Sequence, residues 1–411
     1  MNTSTTVRKL RRFCAFIIGA VFLMAGLFKL LDPTGAGLVM EGYFRFFRTG
    51  FLIPAAKAAA VILALLEAIV GAALISGIWR KQVAIVTTVM IGFFTVLTLF
   101  LAVFNPVELT DCGCFGEAIH LTNLQTFLKN IILLALDLAA FLPFKDFGEN
   151  KKRKYASFAI VAASIFGFAI LSLAGIPAVD YTEFSPGSEL MASGGDDADG
   201  RQGYYKSTII YEKNGQEGAF DLDRLPDSTW NYVRTETIFI NGADVEDNTP
   251  NLSFRDSLGE YRDKMATVGN VLAVSVPSPS GLNGEKWTAI ADVLDGAAAA
   301  GFTPLLLAGS SKEAIDSLET IVPAVRSRLE RSMYYADTKT LVTLNRSNGG
   351  ATWFNDGQLI RKYSFRSLPD ADALLEMTGD DPTEEMLKYS TKGRLRFQGF
   401  VLYVFAILLI L

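Results

Sequence analysis

Long apolar runs alternate with short polar breaks over the first 176 residues of the chain, and then the alternation stops. Runs at residues 13–31, 53–78, 83–104, 124–144 and 155–176 come up to the roughly 20 apolar residues that a helix needs to cross a hydrocarbon core. Short connections join the first four, as in an antiparallel four-helix bundle, and the fifth follows the basic break Lys151, Lys152, Arg153, Lys154. The first run has Arg8, Lys9, Arg11 and Arg12 before it but closes on Lys29-Leu30-Leu31-Asp32-Pro33, with no small-residue cleavage site, so it reads as a retained transmembrane helix. Residues 41–52 mix aromatic side chains with Arg45 and Arg48 at helical spacing, the pattern of an amphipathic segment lying in the membrane interface and capping the bundle.

Beyond residue 179 the pattern is that of an ordinary globular chain. Residues 180–202, rich in Gly, Ser and Asp, read as a linker, and residues 206–222 as a hairpin turning at Lys213-Asn214-Gly215. Strands are expected at 268–276, 302–308 and 333–336, helices at 285–300, 311–330 and 368–377, and a helical turn or two at 338–346. A hairpin at 351–355 and 358–363 turns at Asp356-Gly357. Strands alternating with helices and ending in a hairpin imply an α/β domain with a mixed sheet. The last run, residues 397–411, would reach only about 22 Å as a helix. It follows Lys392, Arg394 and Arg396, and is expected as a short hydrophobic segment or partial span. The expected organisation is a bundle over 1–150, a fifth transmembrane helix over 151–178, a linker with a small β-rich segment over 179–265, an α/β domain over 266–393 and the short segment over 394–411.

A mean hydropathy of +0.29 with half of the residues hydrophobic fits a protein of the lipid bilayer. The net charge of −5 leaves no basic footprint for nucleic acid, and the single histidine, His120, rules out a multi-histidine metal site. Lysine and arginine cluster before the first run, at Arg80 and Lys81, and at Lys145 and Lys151 to Lys154. The positive-inside rule puts those breaks in the cytoplasm. Residues 105–120, NPVELTDCGCFGEAIH, contain neither Lys nor Arg and face outward, where disulfides persist. The expected location is a bacterial inner membrane, multi-pass, with a large periplasmic domain.

Two of the three cysteines, Cys112 and Cys114, flank one glycine in that outward segment beside Asp111, whereas Cys14 lies inside an apolar run. A disulfide closed over a C-x-C ring is strained and therefore oxidising, which suits a donor of disulfides. A static loop staple, or two small interfacial residues, is the other reading. The carboxylates of Asp111 and Glu117 oppose thiolate formation unless Lys29 or Lys129 reaches the loop. Within the helices, Lys29, Lys57 and Lys129 lie near the outward ends and can snorkel, but Glu67 is mid-helix and needs a partner. It is either a functional charged or proton-handling group or half of a register-fixing salt bridge.

Taken together, Gly26-Leu-Phe-Lys29-Leu-Leu-Asp32-Pro33, Leu66-Glu67-Ala-Ile-Val-Gly71, Asn105-Pro106 with Asp111-Cys112-Gly113-Cys114-Phe115-Gly116, and Asn123-Leu-Gln-Thr-Phe-Leu-Lys129-Asn130 resemble the DoxX and MauE group of four-helix membrane proteins. The resemblance covers about a third of the chain. It implies a redox-associated inner-membrane protein: MauE-type members are associated with methylamine utilisation and disulfide formation in a periplasmic subunit, DoxX-type members with quinone-dependent sulfur oxidation. Cys112, Cys114 and Asp111 are the implied redox centre, Lys29, Asp32, Glu67 and Lys129 its polar neighbours, and a quinone a possible electron acceptor. The later domain resembles a thioredoxin or peroxiredoxin fold through Tyr335-Ala-Asp337-Thr-Lys-Thr-Leu341, Arg346-Ser-Asn-Gly-Gly350 and the Asp356-Gly357 hairpin. After its first strand, however, comes PSPSGLNGEKW, without cysteine, and Gly349-Gly350 stands where such folds place proline. Two functions follow: a thiol-disulfide relay that acts on an extracytoplasmic protein client, or a non-catalytic anchored module whose thioredoxin-like domain holds a partner.

Overall fold

The computed structural model describes residues 2–104, 113–116, 121–142, 152–177, 179–190, 203–213, 216–221, 230–241 and 251–411. Asp111, Cys112, Glu117 and His120 lie outside the described residues, as do the linker core and the turn at Asn214-Gly215. The chain divides into two compact units, Met1–Tyr181 with Arg394–Leu411, and Thr182–Gly393.

The first unit is helical: α1 (Asn2–Leu31), α2 (Pro33–Phe46), α3 (Ala56–Ser76), α4 (Arg80–Phe104), α5 (Asn123–Phe141) and α6 (Lys152–Ala174). Asp32 caps α2, accepting hydrogen bonds from the Thr34 and Gly35 amides at 3.2 and 2.9 Å, with Pro33 at the first helical position. The interfacial segment expected at 41–52 is thus split between α2, which starts earlier, and a 3-10 turn over Gly50–Ala55. Between lipid-covered helices apolar contact gives little net drive, so close approach depends on small residues. α1 and α3 meet in this way: a Cβ on Gly26 would come within 2.4 Å of the Ala64 carbonyl oxygen, and one on Gly71 within 2.4 Å of the Leu23 amide.

In the second unit, β1 (Gly203–Lys213), β2 (Gln216–Asp221) and β3 (Asn231–Asn241) form an antiparallel sheet in the order β2-β1-β3. A mixed sheet of six strands follows, with β4 (Phe254–Arg255), β5 (Asn270–Val276), β6 (Thr303–Ala308), β7 (Met333–Ala336), β8 (Gly350–Asn355) and β9 (Gln358–Tyr363) in the order β4-β7-β6-β5-β8-β9. β5, β6 and β7 run parallel, whereas β8 and β9 are antiparallel. Its helices are α7 (Gly284–Ala299), α8 (Lys312–Asp316), α9 (Pro323–Leu329), α10 (Thr338–Leu344) and α11 (Ala371–Gly379). The single helix expected over 311–330 is two short ones, because Pro323 holds Val322 extended and starts a new helix. Apolar side chains fill both faces of the sheet, among them Trp287, Trp353 and Leu306 on one and Phe254, Phe354 and Leu344 on the other.

The C-terminal run differs most from expectation. It is the end of α12 (Pro382–Ile410), a 29-residue helix whose Phe400, Val404 and Ile407 are buried in the core of the first unit. Tyr403 meets Ser164 of α6 at 3.2 Å, and Lys154 at the start of α6 bonds the Leu411 carbonyl. Counting only apolar residues makes the segment too short; the helix gains its length upstream, through residues whose charged heads can reach water. Among the described residues six helices are long and apolar enough to span a membrane.

Candidate functional site

Inside the first unit lies a cavity of about 410 Å³, walled by Phe22 of α1, Tyr43 and Phe44 of α2 with Phe47 just past its end, Leu63 of α3, Phe93 and Phe94 of α4, and Leu133 of α5. Apolar and aromatic side chains dominate the wall, but Lys29, Glu67, Gly113, Cys114, Lys129 and Asn130 also border it. Cys114, Lys29, Glu67 and Lys129, which come from four separate stretches of sequence, therefore share one chamber.

The close α1–α3 contact explains the first pair. Lys29 lies one turn beyond Gly26, and its Nζ meets Glu67 Oε2 of α3 at 2.6 Å, with the two side chains 9% and 6% exposed. Lys29 does not snorkel outward, as expected from its place near a helix end: pairing within the bundle satisfies both charges at once. Lys57 is exposed and donates to Thr34 Oγ1 at 2.9 Å, keeping its charge outside the chamber.

The cysteine segment is anchored by a tight turn in which the Gly116 amide donates to the Gly113 carbonyl at 3.1 Å. Gly113 has φ +63°, and a Cβ there would sit 2.5 Å from Val39 of α2, so both backbone and space require glycine. The turn leaves Cys114 half-buried at the cavity wall. Phe115 packs edge-on against Phe28, ring centres 6.5 Å apart, and the Lys129 ammonium lies 4.9 Å from the Phe115 ring centre. Cys114 and Lys129 line the same chamber as Glu67. Lys29 is held by Glu67, so Lys129 supplies the less committed positive charge near the thiol.

Asp32, expected beside the site, instead spends its carboxylate on the α2 cap and does not line the chamber. The aromatic wall of α2 and α4 and the buried Asn130 are not evident from the sequence. Tyr43, Phe44 and Phe47 fit an interfacial cap by composition; their spacing on one helical face is the signal that could have found the wall. Cys14 is buried in α1 and does not border the cavity. In the second unit the segment after β5 has no thiol, and Ser278 is tied to Asn348 by hydrogen bonds in both directions, at 3.1 and 2.8 Å.

Residues 7–143 match the family model described as methylamine utilisation protein MauE, and residues 205–241 match a model described as a domain of unknown function. The first match covers about a third of the chain and makes that part similar to MauE; the six long apolar helices among the described residues mark a multi-pass membrane protein. No curated protein and no solved structure matches.

Proposed function

We propose that this is a membrane thiol-disulfide component, in which Cys112 and Cys114 exchange with an extracytoplasmic protein client and the bundle cavity receives the electrons. The observation that carries the reading is Cys114 at the wall of an apolar intramembrane chamber that also contains Lys29, Glu67 and Lys129. A client dithiol, attacking through its thiolate, reduces the Cys112–Cys114 disulfide by way of a mixed disulfide; the client leaves oxidised, its two protons pass to the pair, and both cysteines become thiols. Reoxidation of the pair gives up two electrons and two protons. A quinone dissolved in the bilayer would supply the two-electron, two-proton acceptor that this reoxidation needs.

The chamber would suit such a ring: its aromatic wall would take a flat apolar body, while Lys29 and Lys129 would donate to carbonyl oxygens. Lys129, 4.9 Å from the ring centre of the adjacent Phe115, brings positive charge to the chamber that Cys114 also lines, which favours a thiolate there. By the positive-inside rule, Arg80, Lys81 and Lys154 face the cytoplasm and the Cys114 turn the opposite side. The order β7-β6-β5-β8-β9, with its final antiparallel hairpin, supports a thioredoxin- or peroxiredoxin-like second unit. Lacking cysteine, that unit would hold the client rather than oxidise it. The match of residues 7–143 to methylamine utilisation protein MauE supports a membrane accessory role.

The test is differential alkylation of membranes followed by mass spectrometry, with Cys114→Ser used to trap a mixed disulfide on Cys112. Joint reversible oxidation of both thiols and a trapped client are expected. Cysteines that stay reduced under oxidising conditions would rule out the relay. Loss of client maturation on deleting residues 182–393, with none from the double Cys→Ser variant, would leave the anchored binding module.

A further inference from the structure

The buried face of α5 is Asn123, Thr126, Asn130, Leu133, Asp137 and Ala140, a spacing of three and four that lines up polar groups along one seam with α4. Near the cavity, Asn130 Nδ2 donates to Thr98 Oγ1 at 3.1 Å and to the Phe94 carbonyl at 3.2 Å. Towards the other end of the helix, Thr88 Oγ1 donates to Asp137 Oδ2 at 2.7 Å. Leu133, which walls the cavity, lies one helical turn from Asp137, about 6 Å along the axis.

Asp137 is 1% exposed, and its second oxygen, Oδ1, has no hydrogen-bond partner among the described residues; neither has Thr87 Oγ1. The helices packed on α5 are α4 and α1. Their charged groups are Arg80 and Lys81 on α4 and Arg8, Lys9, Arg11, Arg12 and Lys29 on α1. Lys29 is paired with Glu67, Arg11 bonds the Leu142 carbonyl, and none of these groups forms an ion pair with Asp137 among the described residues. An ionised carboxylate so placed would be uncompensated in hydrocarbon, whereas a neutral acid is tolerated. In the neutral acid, with Thr88 donating to Oδ2, the proton would be carried by Oδ1, the oxygen with no partner among the described residues.

We propose that Asp137 is a membrane-buried proton donor to the cavity, passing its proton past Leu133 and recharging from the Arg80 end of the bundle. The consumer of the proton rests on the redox reading above: the two thiol protons leave to water on the outward side, so an acceptor reduced in the chamber, which borders Leu133 directly, draws its two protons in succession through Asp137. Glu67 cannot serve in the same way, because its carboxylate is the counter-ion of Lys29.

The full-length protein in lipid nanodiscs, treated with dicyclohexylcarbodiimide and mapped by mass spectrometry, tests the acid. This apolar reagent modifies protonated carboxyl groups. An adduct on Asp137 that declines as pH rises is expected, with none on Glu67; an unmodified Asp137 at every pH overturns the proposal. Delivery is read from decylubiquinone reduction by the dithiothreitol-reduced protein. Asp137→Asn keeps an acceptor for Thr88 and is expected to slow reduction about 100-fold with unchanged thermal stability, while Asp137→Glu restores most of the rate. A wild-type rate and pH profile in Asp137→Asn overturns delivery. Undiminished reduction by Cys114→Ser would sink the redox reading instead, while the carbodiimide labelling would still decide whether Asp137 is a protonated acid.

Discussion

The two units of the chain set their ion pairs in different surroundings. In the helical unit Lys29 and Glu67 form an ion pair with both side chains under a tenth exposed, and Asp137 is buried with a single threonine partner among the described residues. In the sheet unit the ion pairs are peripheral: Arg328 bridges Asp292 and Asp295 at 2.6 and 2.7 Å, with the acids more than half exposed. The solvent explains the contrast. In water, burial of Trp353, Leu306 and Phe354 drives folding and charges are best left outside. In lipid, apolar contact hardly distinguishes one neighbour from another, so glycine contacts and paired charges select the packing. Those paired charges also surround the cavity where the chemistry is proposed.

The strongest way to break this contrast is Lys29→Met, which strands Glu67. Denaturation of the protein in detergent should show a loss of about 3–5 kcal/mol, and Lys29→Met with Glu67→Met should recover part of it. A double variant no better than the single would mean that the pair does not organise the bundle. Next is Gly26→Leu, which pushes α3 from α1. About 1–3 kcal/mol is expected to be lost, together with faster labelling of Cys114 by a maleimide as the chamber loosens. In the sheet unit, Arg328→Ala should change stability by less than about 1 kcal/mol; a loss as large as that from Lys29→Met would erase the contrast.

The smallest effect at neutral pH is expected from Tyr363→Phe. Burial, opposed by nearby Arg361, pushes the Tyr363 hydroxyl up to about 12 from 10.0. The folded form thus holds this proton more tightly than the unfolded chain. Its contribution is complete below pH 10.0 and is lost as pH rises towards about 12. Alkaline denaturation followed by tryptophan fluorescence should be shallower across that window in Tyr363→Phe, and an unchanged curve would show that the buried phenol does not govern it.

Local pattern was enough for the candidate membrane spans up to residue 176 and for the β8–β9 hairpin with Asp356 at φ 45° and Gly357 at φ 80°. These follow from periodicity and turn chemistry, which a few neighbouring residues encode. The extent of α12 was not legible, because a helix that leaves the bilayer can continue through polar sequence without an apolar signature. Nor was the partner of Glu67. Lysines at positions 29, 57 and 129 are equivalent in local pattern, and the approach of α1 to α3 at Gly26 and Gly71 makes Lys29 the one that meets it. Sequence alone determined which chemical groups this membrane protein carries; tertiary packing decided which of them share a chamber, because contacts between distant helices depend on interhelical shape that no local pattern records.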